Sequence, residues 1–292
     1  MNKEFNKGLL LAGFGSFWWG FFGVLYFKYI TFIGYIELVI HRCLWTTLTL
    51  ILTTFFFSKW DIFFKIIKSK QNLIYLFISG FLIFINWGVW IYAIATNRII
   101  DASFGYFIMP ILSVLLGYIF FKEKLNNKRI FSITLVILSI LYLIFVSLKS
   151  LPWVGIIVAL SWGFYNLVRK KINVETDIGL LIESLFILPI AIIIFYMIAA
   201  KGYNDFSLSN PSMMLIIFLA GPMTVIPLFL YVRGVELCGL GPSGMIFYIT
   251  PTLQFLLGFF YYDEVFSFNK LVSFIIIWFA VIIYLRDLYE TN

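Results

Sequence analysis

Runs of about 20 apolar residues, broken by short polar or charged stretches, recur from one end of the chain to the other. They fall at 8–27, 34–57, 72–96, 102–121, 130–148, 152–170, 178–200, 212–232, 242–262 and 268–285. At about 1.5 Å of rise per residue, each is long enough to cross a hydrocarbon core of about 30 Å. The pattern therefore predicts an all-α, polytopic membrane protein with ten transmembrane helices. Breaks such as Lys149-Ser150-Leu151-Pro152 leave no room for a soluble domain or a long linker. The first run follows Met1-Asn2-Lys3-Glu4-Phe5-Asn6-Lys7 and carries no small-residue cleavage site, so it reads as a membrane helix rather than a cleaved signal.

A repeat overlies this pattern. Gly105-Tyr106-Phe107-Ile108-Met109-Pro110-Ile111-Leu112, with Gly117 and Glu123, recurs 141 residues later as Ile246-Phe247-Tyr248-Ile249-Thr250-Pro251-Thr252-Leu253, with Gly258 and Glu264. Trp19-Gly20-Phe21 with Lys28 likewise matches Trp162-Gly163-Phe164 with Lys171. The chain thus divides into two five-helix repeats, 1–150 and 151–292, which form one membrane domain. Five is odd, so the second repeat enters the bilayer from the opposite face. Inverted halves are the architecture of alternating access around a midplane site. A channel or an intramembrane enzyme needs no such duplication, so the reading favours a carrier, with a passive facilitator or channel, or an intramembrane enzyme, as the alternative.

Composition agrees. Hydrophobic residues make up 62% of the chain and charged residues 12%, against about 25% charged in soluble domains, and mean hydropathy is +1.01. Lipid must be the outer solvent. The net charge of +7 would suggest nucleic acid for a soluble protein, but here the bases sit in short loops. With the amino terminus in the cytoplasm, inner loops hold fifteen Lys and Arg and outer loops five, Arg42 belonging to neither group. That bias places both termini inside and excludes a nucleic-acid partner. Cys43 and Cys238 have no CxxC or Cys/His spacing, which argues against a disulfide framework, a metal site or a cofactor. No ATP-binding loop, HExxH or GxSxG occurs, so the chain does not read as an ATP-driven pump or an enzyme.

Several segments also resemble a known family. They are Glu37-Leu38-Val39-Ile40-His41-Arg42-Cys43-Leu44-Trp45, Asn86-Trp87, Ala102 to Pro110, Trp162-Gly163-Phe164-Tyr165, Val168-Arg169-Lys170-Lys171-Ile172 and Tyr248 to Leu253. In order and spacing, from Lys7 to about Tyr289, they look like the RarD branch of the EamA-type permeases, within the drug/metabolite transporter superfamily. The resemblance implies a five-plus-five inverted fold, a bacterial inner (plasma) membrane location, and secondary transport of amino acids, metabolites or drugs such as chloramphenicol, with export the expected direction. Met109 and Phe247 depart from the branch pattern, which has Asn and Gln there.

Charged groups inside a bilayer are candidates for function. Glu37 and His41 share a helix face, while Arg42 points about 100° away; His41 and Arg42 lie roughly 10–12 Å in from the outer end. Either these three line a cavity, where they bind substrate or carry a proton, or they form a polar knot between helices. Glu183, about five residues into the seventh span, is a second carboxylate of the same kind or a helix-start Glu favoured by the dipole. Pro110 and Pro251 each free a backbone carbonyl that could serve a substrate or simply kink a helix. Tyr106, Phe107, Phe247 and Tyr248 precede them and could stack on a flat substrate or face lipid. Asn86 and Trp87 lie mid-span, where Asn86 bonds a neighbouring helix or reaches the substrate. Trp162 and Tyr165 join the candidates, with Trp19 at the place matching Trp162. Glu123 and Glu264 read as caps or interface anchors. The expected partners are a small-molecule substrate, the lipid bilayer and protons; monomer and homodimer both stay open.

Overall fold

No water reaches the hydrocarbon core to satisfy backbone N–H and C=O groups, so a chain this apolar must satisfy them within helices. A computed structural model describes residues 3–96, 99–147, 153–206, 211–261 and 268–291, and among these every regular element is helical. The first half holds α1 (Lys3–Trp18), a π-helical turn (Trp19–Gly23), α2 (Val24–Tyr29), α3 (Tyr35–Phe56), α4 (Trp60–Ile67), α5 (Lys70–Ala95), α6 (Ile99–Phe121) and α7 (Asn127–Ser147). The second holds α8 (Trp153–Lys171), α9 (Thr176–Ala200), α10 (Pro211–Phe218), α11 (Ala220–Cys238), α12 (Leu240–Ile246), α13 (Ile249–Tyr261) and α14 (Phe268–Thr291). Among the described residues, six helical stretches are long and apolar enough to cross a membrane: Lys3–Tyr29, Tyr35–Phe56, Lys70–Ala93, Thr176–Ala200, Ser212–Cys238 and Leu271–Glu290. The Lys149–Pro152 turn, Arg98 and Glu264 lie outside the described residues.

Two elements depart from the apolar-run pattern. Helix α4 falls between runs, because its eight residues are too short to span. It is amphipathic, with Asp61 and Lys65 among Trp60, Phe63, Phe64 and Ile67, as suits a helix lying in a membrane interface. The run at 242–262 is split, with α12 ending at Ile246 and α13 starting at Ile249. Proline crowds the carbonyl four residues back, and for Pro251 that is Phe247, at the break. Helix α6 continues through Pro110. Outward-facing side chains are apolar: Phe56 and Phe145 are 75% and 83% exposed, which in water would be unfavourable and in lipid is ordinary.

Helix contacts rely on small residues that let backbones approach. On α1, Gly8, Ala12 and Gly15 meet α11, and a Cβ at Gly15 would sit 2.8 Å from the Pro227 carbonyl. A Cβ at Gly20 would sit 2.9 Å from the Thr250 carbonyl, so that glycine sets the approach to α13. The pairings come in matching sets. Helix α1 packs on α11 as α8 packs on α5, and α3 on α11 as α9 on α5. Helix α6 lies against α8 as α12 and α13 lie against α1 and its π turn. Helix pairs α3–α9, α6–α12 and α7–α14 join equivalent places across the two halves.

Several polar contacts between halves lie at the two ends. At one end Lys59 Nζ binds Asp177 at 2.6 Å and Glu175 at 3.0 Å. Burial works against the charge on Lys59, but these hydrogen bonds outweigh it and raise its pKa above the ordinary lysine value. At the same end Glu123 accepts hydrogen bonds from the Leu240 and Gly241 N–H groups, both at 2.8 Å. It therefore caps α12, a helix 117 residues away, rather than its own. Gly239, at φ +98°, makes the turn into α12 and leaves room for that carboxylate. At the opposite end Gly34 N–H donates to Asp205 at 2.8 Å and the Tyr26 hydroxyl to the Ile216 carbonyl at 2.8 Å.

Candidate functional site

Between the halves lies a small cavity of about 40 Å³, walled by side chains from both. The first half supplies Trp19 and Gly23 from the π turn, Phe27 from α2, Arg42 from α3, Asn86, Trp87 and Trp90 from α5, and Tyr106 from α6. The second half supplies Trp162 from α8, Phe247 from the α12–α13 break, and Thr250 and Gln254 from α13. Two backbone irregularities, the π turn and that break, thus open onto the same hollow. Such departures from α geometry recur at functional sites, where they re-aim side chains.

Most of the wall is aromatic. Trp19 and Trp162, the matched tryptophans of the two repeats, meet edge to face with ring centroids 5.0 Å apart. Tyr106 and Phe247, matched positions 141 residues apart, approach to 5.8 Å. Tyr231 closes the group beneath, 5.2 Å from Phe247 and 5.6 Å from Trp162.

Arg42 is the charged member. It is 4% exposed. Its Nε donates to the Thr224 hydroxyl at 3.0 Å, and its guanidinium carbon lies 4.8 Å from the Phe27 ring and 4.5 Å from the Trp87 ring. No carboxylate within 4 Å pairs with it among the described residues. A cation at mid-bilayer costs about 2.5–3.5 kcal/mol on insertion scales. Cation–π contacts return about 0.5–2 kcal/mol, and a net hydrogen bond about 1 kcal/mol. The cage roughly offsets the burial and leaves the terminal N–H groups of the fork without an anion.

Asn86 also lines the hollow, and its Nδ2 donates to the Val158 carbonyl at 3.0 Å and the Ser161 hydroxyl at 3.1 Å. It thus does both things its position allowed, tying α5 to α8 while bordering the space. Trp87, Tyr106, Trp162 and Phe247 are in the wall with Arg42.

The remaining sequence candidates lie elsewhere. Glu37 sits at the opposite end from Lys59, where its carboxylate accepts from the Asp205 N–H at 2.6 Å and the Phe206 N–H at 2.9 Å, with His41 Nε2 3.3 Å away. His41 is enclosed by Phe206, at 4.7 Å, Phe195 and Trp45. Glu183 belongs to a buried network behind the cavity. It accepts from Ser79 at 2.5 Å and Tyr165 at 3.2 Å, and lies 3.5 Å from Arg169, which has no exposed surface. Tyr165 stacks on Trp162 at 5.4 Å and so links that network to the wall. Phe107 and Tyr248, another matched pair, meet on the far side of the α6–α12 contact, where the Tyr248 hydroxyl donates to the Phe107 carbonyl at 2.9 Å. Pro110 and Pro251 are buried outside the wall.

Sequence reasoning passed over Gly23, Phe27, Trp90, Thr250 and Gln254. The signal was there as helix-face spacing: Trp19, Gly23 and Phe27 are four apart in turn, as are Asn86 and Trp90, and Thr250 and Gln254.

Comparisons with known proteins follow the same lines. Residues 6–145 match the EamA-like transporter family. The chain is 33% identical to the uncharacterized transporter YojE of Bacillus subtilis, over 97% of this chain and 95% of that protein. It is 33% identical to protein RarD of Escherichia coli, over 99% and 97% respectively. Identity to the chloramphenicol-sensitive protein RarD of Pseudomonas aeruginosa is 22%, over 85% and 83%. One solved crystal structure superposes with a TM-score of 0.71 at 12% identity, covering 96% of this chain and 97% of that one, which speaks to fold alone.

Proposed function

The chain belongs to the RarD branch of the EamA-like transporter family, which makes it a multi-pass membrane transporter, and from that premise we propose a secondary carrier that exports small organic molecules by alternating access. Ten spans form two inverted five-helix halves, 1–150 and 151–292, in a bacterial inner membrane with both termini in the cytoplasm. The aromatic hollow around Arg42 is the substrate site.

One observation carries the reading. Residues that correspond in the two repeats touch each other: Trp19 with Trp162, Tyr106 with Phe247, and Phe107 with Tyr248. Like positions meet their counterparts only along a two-fold axis. Since each half has an odd number of spans, that axis lies in the membrane plane. The cavity is beside it, so tilting one half against the other exposes the cavity to either side in turn. Each end has its own latch between halves: Lys59 with Glu175 and Asp177 and the Glu123 cap at one, Glu37 with the 205–206 backbone at the other. Transport would break one set while the other holds.

Saturable uptake into proteoliposomes is the test. A panel of labelled amino acids, nucleosides, amphenicols and organic acids should contain members that enter protein-loaded vesicles faster than empty ones, with saturation and competition. Movement of none of them would sink the carrier reading, and single-channel currents would replace it with a pore. We further propose proton coupling through Glu37, His41 and Glu183. If a Glu37→Gln, Glu183→Gln double variant still responds fully to a pH gradient, that assignment is wrong.

A further inference from the structure

Resting on the carrier reading, we infer that the substrate is an organic anion: a carboxylate, or an equivalent oxyanion, on a flat apolar body. Arg42 brings the geometry for it. Its guanidinium is nine-tenths or more buried, lines the hollow, and uses one nitrogen on Thr224. The terminal N–H groups form the planar fork that matches two carboxylate oxygens, and among the described residues no carboxylate pairs with it.

The rest of the wall selects for the same chemistry. Among the described residues it contains no Asp or Glu, so a substrate ammonium finds no counter-charge there. Its uncharged polar groups, from Asn86, Thr250 and Gln254, can bond hydroxyl or carbonyl groups but cannot neutralise a cation. The tryptophan and phenylalanine faces accept a ring by offset or edge-to-face stacking. A neutral molecule would leave the buried cation uncompensated, and a zwitterion would exchange one unpaired charge for another. A monoanion alone leaves the occupied cavity neutral.

Binding to the full-length protein in detergent, read by thermal shift, separates these cases. The probes are benzoate, phenylacetate and indole-3-acetate, each against its own amide, with phenylalanine as the zwitterion. The acids should bind about tenfold or more tightly than their amides, with phenylalanine weaker than phenylacetate. Arg42→Gln should bring acid and amide within about twofold, and Arg42→Lys, which keeps the charge but loses the fork, should fall between. The acid–amide comparison in the unaltered protein stands even if both variants misfold. Amides that match the acids, or acids that do not bind at all, overturn the inference. Saturable flux of neutral or zwitterionic compounds alone would leave the carrier standing and remove only the anion, whereas absence of any flux removes the carrier first.

Discussion

At the scale of the residue, three side chains of α3 hold two different tasks. Glu37 and His41 are four apart and share a face, and that face meets the 205–206 backbone and its aromatic surround. Arg42, one residue on, turns about 100° and enters the hollow. Glu37, itself buried, is the acceptor for two loop N–H groups. Glu37→Ala should therefore leave two donors unpaired, at about 1–3 kcal/mol each, and lower the melting temperature in detergent by several degrees. Binding of an aromatic acid by the protein that remains folded should be unchanged, since Glu37 is not in the wall. Loss of binding without loss of stability would show that Glu37 reaches the substrate after all. The pairing of Glu37 with His41 was legible in the spacing, but their partner was not, because the loop that meets them lies 168 residues away.

The elements show where apolar runs are informative and where they are silent. Their lengths locate the long helices within a few residues, since crossing lipid demands length. They say nothing of α4, which is amphipathic and short, nor of the π turn at Trp19–Gly23, which interrupts no hydrophobicity. Glycines divide in the same way. Gly20 faces backbone at 2.9 Å, whereas a Cβ at Gly88 would meet nothing within 4 Å. Gly20→Ala should push α13 away and lower the melting temperature. Gly88→Ala should raise it slightly, because alanine is favoured over glycine in a helix by about 0.5–1 kcal/mol. Equal effects from the two would mean that the approach of the first helix to α13 is looser than the distances indicate.

For the whole molecule, the matched pairings of helices and the meeting of like residues point to a two-fold relation between the halves, and the proposed carrier puts that axis in the membrane plane, so that the halves run in opposite directions. Lys28 and Lys171 hold corresponding places at the ends of α2 and α8. Single cysteines there, in a background lacking Cys43 and Cys238, should react with a membrane-impermeant reagent from opposite faces: Lys28→Cys from outside whole cells, Lys171→Cys only after permeabilisation. Labelling of both from one side would remove the inverted repeat and the rocking motion with it.

Helix length, the duplicated Pro–Gly–Glu spacing and the distribution of Lys and Arg are properties of order along the chain. The sequence alone therefore determined a helical membrane protein, its repeat and its family likeness. Which side of each helix looks inward is a different matter. In lipid the outer face is as apolar as the packed one, so periodicity no longer marks the buried stripe. Only tertiary packing decided that Arg42, Trp87 and Trp162 border a hollow while Glu37, Phe107 and Tyr248 do not. That decision rests on close approaches between helices far apart in sequence, such as Gly20 with Thr250, which no local pattern encodes.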